Sequence, residues 1–165
     1  MAPDSIKAEA ISIKVFLFVS IDSIISIDTT DPFPYILKLT ILGMRDIDFD
    51  KSIDSTLFLS TYHHSQNCIN SFEIQSGKDS YSRMLKGFSK AMYAAFYLRK
   101  KTYVKAIQNG FDALDYLKEA QEIDETNTEV LMFLGLYDFI RGELKSKLWW
   151  ILFWYPGNRK EGIKK

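Results

Sequence analysis

Two histidines and one cysteine stand within six residues of one another, His63, His64 and Cys68, and the chain has no others. His64 and Cys68 are four apart, so on a helix they share a face and could chelate a soft divalent metal. A structural zinc site needs four ligands, and no further His or Cys is present to supply them. The expected role is therefore polar histidines on a solvated face and a packed cysteine, with no metal bound. Asp46, Asp48 and Asp50 could approach a calcium ion. They lack the glycine and the terminal bidentate glutamate of a calcium loop, so capping and solvation are expected instead. Gly77-Lys78-Asp79-Ser80 resembles the end of a phosphate loop but has neither the upstream glycine nor a preceding strand, and reads as a helix break. There is no Gly-x-Ser-x-Gly and no His-Glu-x-x-His. The chain is expected to have no catalytic residue and no cofactor, and not to be an enzyme.

The segment Lys145 to Tyr155 is the sharpest anomaly, with Trp149, Trp150 and Trp154 beside basic residues. That composition suits a membrane interface or a protein-binding patch. The favoured reading is a core helix awaiting the next helix pair, because a terminal repeat exposes its stacking face when its neighbour is missing. Left bare, such a face promotes aggregation or self-association.

Something must position these side chains, and composition bounds what it is. At 165 residues the chain is one domain long. Lys plus Arg and Asp plus Glu are 21 each, so no net field draws it toward nucleic acid or an acidic membrane. An aromatic content of 15 %, with few Gly and Pro, favours a packed fold over disorder. Val15 to Val19 is apolar, but Lys14 and Asp22 bracket it, and no signal-peptide pattern accompanies it. No stretch reaches the ~18 apolar residues of a spanning helix, so the chain reads as soluble.

Residues 11–21 fit two patterns. Ile11, Ile13, Val15, Leu17, Val19 and Ile21 alternate as in a strand, whereas Leu17, Phe18, Ile21, Ile24 and Ile25 make a helical stripe. The helical reading, 12–27, is taken, with residues 1–10 expected to be frayed or disordered. Asp31-Pro32 then opens a helix to about Arg45, with Tyr35, Ile36, Leu39, Leu42 and Gly43 inward. A loop over 46–50 leads to helices at about 51–74, 79–98, 102–123, 128–141 and 143–154, and a last one starts at Arg159. Because that helix has no closing cap, the C-terminus reads as truncated within it. Gly87, Ala91 and Ala95, spaced by four, should let a neighbour approach the fourth helix closely. Ala113, Ala120 and Gly135 are expected at further close approaches. The buried stripe of the fifth helix is expected at Tyr103, Ile107, Gly110, Phe111, Leu114, Leu117 and Ala120. Ile27-Asp28-Thr29-Thr30-Asp31 and Ile123-Asp124-Glu125-Thr126-Asn127 resemble each other, which suggests duplicated helix pairs.

Ala113, Leu117, Ala120, Asp124, Asn127, Leu134 and Gly135 resemble the tetratricopeptide-repeat superfamily, in which alanines precede an Asp-Pro-Asn turn and Leu-Gly opens the next repeat. Glu125 replaces the turn proline, and Tyr137 falls one residue early. Leu134-Gly135-Leu136-Tyr137 with Pro156-Gly157-Asn158-Arg159-Lys160-Glu161-Gly162 is similar to bacterial repeat proteins of unassigned role, often exported. The resemblance implies an all-α, right-handed helical-hairpin array of seven to eight helices in one domain, 1–165.

The function this implies is a non-catalytic scaffold whose groove binds a protein or peptide. Tyr93, Tyr97, Tyr103 and Tyr137 are the candidates to line it, since tyrosine offers contact area with a polar tip. The alternative is peripheral membrane association, or a role in envelope assembly, through the Trp-rich helix 143–155.

Overall fold

The computed structural model describes residues 19–49 and 54–147, with side chains described for 19–43 and 54–139. Six helices occupy these residues: α1 (19–27), α2 (Pro32–Phe49), α3 (Ser55–Ser76), α4 (Ser80–Arg99), α5 (Tyr103–Ile123) and α6 (Thr128–Lys147). No strand occurs among the described residues, and the chain is all-α there. Residues 19–21 are helical, and the rest of the 11–21 ambiguity lies outside the described residues, as do residues 1–10 and the helix expected from Arg159.

Four of these helices, α2, α3, α4 and α6, begin where a side chain satisfies a free amide, whereas Thr102 at the start of α5 makes no such bond. Asp31 accepts from the Phe33 amide at 2.9 Å, and Asp54 from Leu57 at 3.0 Å. Asp79 accepts from Ser82 at 2.7 Å while Ser82 returns a bond to the Asp79 amide, a reciprocal capping box. Asn127 caps α6 by accepting from the Glu129 and Val130 amides. The end of α4 is closed differently. Thr102 N–H bonds the Tyr97 carbonyl and Lys101 N–H bonds that of Leu98, with Lys101 held at φ 57°. That is a Schellman closure with lysine in the left-handed position glycine usually takes.

The helix starts reveal a spacing. Helices start at Pro32, Ser80 and Thr128, and the intervening ones at Ser55 and Tyr103, each 48 residues after its counterpart. Ile21, Ile69 and Leu117, at the same spacing, are all buried. The described chain is thus a series of two-helix units of 48 residues, longer than the roughly 34 of a tetratricopeptide unit. Two of its turns share one geometry. Asp28 accepts from the Thr30 amide and hydroxyl at 2.8 and 2.6 Å, and Asp124 does the same with Thr126 at 2.9 and 2.7 Å.

Packing centres on α4, which alone among the described helices meets three others extensively, α2, α3 and α5. Its longest contact is with α5, where Ala106, Ala113, Leu117 and Ala120 line the buried side. Gly87 makes this possible, since a Cβ there would stand 2.8 Å from Leu117 Cγ and 3.0 Å from the Ala113 carbonyl oxygen. Ala95, eight residues on, is exposed. Four residues advance a helix by more than one full turn, so a stripe of period four drifts off the contact line. Two cores flank α4. One joins Ile36, Ile69, Met84, Leu85, Leu117, Ala120 and Val130, and the other Leu39, Leu42, Phe58, Tyr62 and Phe96.

Several expectations are corrected. The expected loop at 46–50 is helical through Phe49, since nothing there breaks a helix and aspartates disfavour one only weakly. Asp46 and Asp48 therefore do not lie on a calcium-type loop. The third helix spans Ser55–Ser76 because Asp54 is its cap. The helices expected at 128–141 and from 143 are continuous as far as Lys147, because one glycine, Gly142, costs only about 1 kcal/mol in a helix interior. On α5, Phe111 is exposed and Gly110 meets open space. The contact line through Ala106, Ala113 and Leu117 puts Phe111 across the helix, beside exposed Val104. Gly135 is likewise no close approach, as a Cβ there would meet nothing within 4 Å.

The two glycines at one repeat position should therefore answer alike substitutions oppositely. Gly87→Ala should destabilise the chain by about 1–3 kcal/mol through overpacking. Gly135→Ala should stabilise it by about 0.5–1 kcal/mol through helix propensity. Urea denaturation of both variants reads the difference. The turns predict a pH effect as well. Hydrogen bonds from the Thr30 hydroxyl and amide hold Asp28 below the usual carboxylate range, and Thr126 does the same to Asp124. Their contribution is present above the unfolded carboxylate value of about 3.9 and is lost as pH falls through the lowered folded value. Tm measured from pH 7 to 2 should fall less steeply at the acid end in Asp28→Asn/Asp124→Asn than in the wild type.

Candidate functional site

Polar and aromatic side chains concentrate along both sides of α4. Toward its N-terminal half lies an ionic cluster. Glu73 is the only charged residue of α3, and it is buried against Arg83 and Lys86 of α4. Lys86 Nζ donates to Glu73 Oε2 at 2.5 Å, while Arg83 Nε lies 3.6 Å from Glu73 Oε1 and 3.2 Å from Glu119 Oε2 on α5. Both cations also lie over the Tyr116 ring, at 5.5 and 5.8 Å from its centroid. Glu73 Oε1 is buried and accepts no hydrogen bond, so the Arg83 charge is its compensation. Three helices meet here around paired charges.

Beside it runs a chain of hydroxyls. Gln66 Nε2 donates to Ser89 Oγ at 2.9 Å, and Ser65 Oγ lies 3.2 Å from Ser89 Oγ. Asn127 Nδ2 donates to Ser80 Oγ, which donates to the Ala120 carbonyl at 2.9 Å. The start of α6 is thereby tied to the start of α4 and the end of α5.

The C-terminal half of α4 carries the aromatic groups. Tyr62 of α3 stacks on Tyr93 with centroids 4.0 Å apart, and Phe58 on Phe96 at 4.6 Å. Tyr93 meets Tyr97 edge to face, with their hydroxyls 2.9 Å apart, and Lys105 Nζ sits 5.2 Å over the Tyr97 ring. Burial, then the hydrogen bond its hydroxyl shares with that of Tyr97, push the Tyr93 phenol well above the usual tyrosine range. Burial raises Tyr62 too. These phenols stay neutral near pH 7 and act as contact surface. Lys90 donates to Asp112 at 3.0 Å; burial pushes its pKa down, but that bond and the nearby negative groups outweigh it and raise the value.

The candidate tyrosines thus divide. The fold brings Tyr93 and Tyr97 into contact, both half-buried, and each hydroxyl meets the other. Tyr103 opens α5 just after the turn that follows them, and Tyr137 lies on α6, on the helical side of Phe133; both are half-buried. Trp149, Trp150 and Trp154 lie outside the described residues. His64 stacks on Tyr35 and its Nδ1 lies 2.7 Å from the Ser60 carbonyl oxygen, while Cys68 Sγ donates to the Thr29 carbonyl. Burial, then the charges of Asp28 and Asp31, raise the Cys68 thiol. His64 borders an open depression of about 250 Å³ with Ile25, Tyr35, Lys38, Leu57, Ser60 and Thr61. Among the described residues no group of three His, Cys, Asp or Glu is placed to hold a metal ion, and no helix is long and apolar enough to cross a membrane.

Sequence reading missed the ionic cluster. Its signal was present: one carboxylate in a 22-residue helix, and Arg83 and Lys86 on either side of Met84 and Leu85 in a buried run. The chain matches no protein-family model, no curated protein and no solved structure.

Removing one partner of a buried ion pair leaves a bare charge. Glu73→Ala should cost about 3–5 kcal/mol, and Glu73→Met/Lys86→Met should recover much of that loss. Denaturant midpoints of the single and double variants measure this. A double variant no more stable than Glu73→Ala would contradict the pairing.

Proposed function

We propose that this chain is a non-catalytic helical-repeat scaffold, a tetratricopeptide-like right-handed array, whose surface holds a protein or peptide segment. The observation that carries the reading is the 48-residue recurrence of helix pairs. Stacked repeats present an extended surface along which a partner can lie, and such arrays serve binding more readily than chemistry. The ionic cluster supports it, because its charges are directed at neighbouring helices. Contact area is available near the α4–α5 turn. Tyr97 under Lys105, half-buried Tyr103, and exposed Val104 and Phe111 present apolar surface with polar tips. Aromatic groups of this kind dominate the energetics of peptide recognition.

Linear peptides selected by display against the dilute full chain should bind through this patch. Tyr103→Ala and Phe111→Ala should each weaken a selected peptide by roughly 5- to 30-fold in Kd, the range of a single anchor. Fluorescence anisotropy measures the affinity, and circular dichroism checks the fold. If neither substitution, nor Tyr93→Ala, Tyr97→Ala or Tyr137→Ala, changes the affinity, this reading is wrong.

A further inference from the structure

Charge is distributed unevenly along this neutral chain. Between Asp79 and Asp112 the sequence holds seven lysines and arginines and no acidic residue. From Asp112 to Asp138 it holds eight acidic residues and one lysine, Lys118. The fold uses part of the basic stretch internally, since Arg83 and Lys86 face Glu73 and Lys90 pairs with Asp112. The α4–α5 turn is different. Lys100, Lys101 and Lys105 are exposed there, and none of the three makes an ion pair among the described residues. Lys100 and Lys101 follow the carbonyl end of α4, which favours cations. Lys105 has no such reason to be basic, because it stands in the first turn of α5, where the helix dipole opposes positive charge.

Aromatic rings beneath hold two of these ammonium groups in place. Lys100 Nζ lies 5.8 Å over the Phe96 ring, and Lys105 Nζ 5.2 Å over that of Tyr97. Tyr97 is itself fixed to Tyr93, with their hydroxyls 2.9 Å apart. Side chains already ordered lose less freedom when a ligand arrives. Beside them runs an apolar strip on the outer side of α5. Val104 and Phe111 are seven residues apart, so they share a face, and they are 55 % and 48 % exposed. Just past Phe111 the same side turns acidic, with Asp112 and Asp115 both exposed. The surface thus has a direction: cationic at the turn, apolar over two helical turns, anionic beyond.

We propose that this surface holds an acidic peptide segment, its carboxylates over Lys100, Lys101 and Lys105 and a large apolar side chain against Val104 and Phe111. The proposal rests on the scaffold reading above and names the chemistry of its partner. From Lys105 to Phe111 the helix rises about 9 Å, the reach of about three extended residues. One short segment therefore spans both features. Its acidic groups belong at the turn end only, because Asp112 and Asp115 would repel them further along. A peptide suits this surface better than a lipid bilayer does. The cationic patch is confined to one turn, and a broad anionic headgroup plane laid on it would also meet the carboxylates beyond Phe111. In such a complex the apolar contact supplies most of the affinity, and the lysines supply selectivity and speed of approach.

Peptides selected by display against the full chain should carry several Asp or Glu residues close to a large apolar one. Each selected peptide is compared with its amide form, Asn for Asp and Gln for Glu, by fluorescence anisotropy. Exposed ion pairs are individually weak, so the full exchange should raise Kd by about 3- to 30-fold at about 50 mM salt. The gap should narrow at about 500 mM salt. Lys100→Gln/Lys101→Gln/Lys105→Gln, with its fold checked by circular dichroism, should bind acid and amide forms alike. Selected peptides with no acidic excess overturn the proposal, as do amide forms that bind the wild type equally tightly at low salt. So does a folded triple variant that still prefers the acid form. The acid-to-amide comparison needs no variant, so it decides the matter if the triple variant misfolds. Co-sedimentation with phosphatidylcholine–phosphatidylserine vesicles tests the other anionic partner. Vesicle binding that the triple variant loses, with no acidic preference among peptides, would assign the patch to a lipid surface and overturn the proposal. Peptides that need Tyr103 and Phe111 but not their own carboxylates would leave the scaffold reading standing and refute this inference alone.

Discussion

The close approach of α4 and α5 at Gly87 is the constraint from which most of this structure follows. Leu117 Cγ and the Ala113 carbonyl occupy the space a side chain at Gly87 would need. With the two backbones that near, small residues must line α5 at Ala106, Ala113 and Ala120. The same proximity brings Glu119 and Tyr116 within reach of Arg83, and so makes the ionic cluster possible. A wider helix spacing would leave Arg83 and Lys86 desolvated with fewer partners, which is among the costlier faults an interior can hold.

Placing charge in such an interior is not an efficient route to stability, because two ions must lose their water before they attract each other. Its value here is in specifying geometry. Glu73, Arg83 and Glu119 come from three helices, and their contacts are satisfied only when α3, α4 and α5 share one register. Apolar side chains tolerate sliding, whereas a buried carboxylate held between two cations does not. The Ser80–Ala120–Asn127 bonds act in the same sense one layer further on, linking the start of α6 to the helices before it. Each 48-residue unit is thus joined to its neighbour by polar contacts as well as by apolar area.

How much of this was legible in the sequence varied with the range of the interaction. Caps such as Asp31 and Asn127 were readable, because each acts on amides two or three residues away. The likeness of the Asp28–Thr30 and Asp124–Thr126 turns was readable for the same reason, and the two hydrogen-bond patterns coincide. Helix ends were less so. Gly142 and the aspartates from 46 to 48 looked like breaks, but each disfavours a helix too weakly to end one. The side of α5 that faces inward was misjudged at Phe111, since a large aromatic residue is a natural choice for a core and small residues are not. Here the partner backbone lies too near for bulk.

Local sequence therefore determined that this chain is helical, where most of its helices start, and that its turns recur, because capping and turn hydrogen bonds join residues close in the chain. Tertiary structure decided which faces are covered. Gly87 and Gly135 stand at the same place in their units, each within a helix of similar composition, yet one is packed against Leu117 and the other is open. Nothing within either helix distinguishes them. The difference is the presence of a neighbouring helix, and burial is a property of what lies opposite in space.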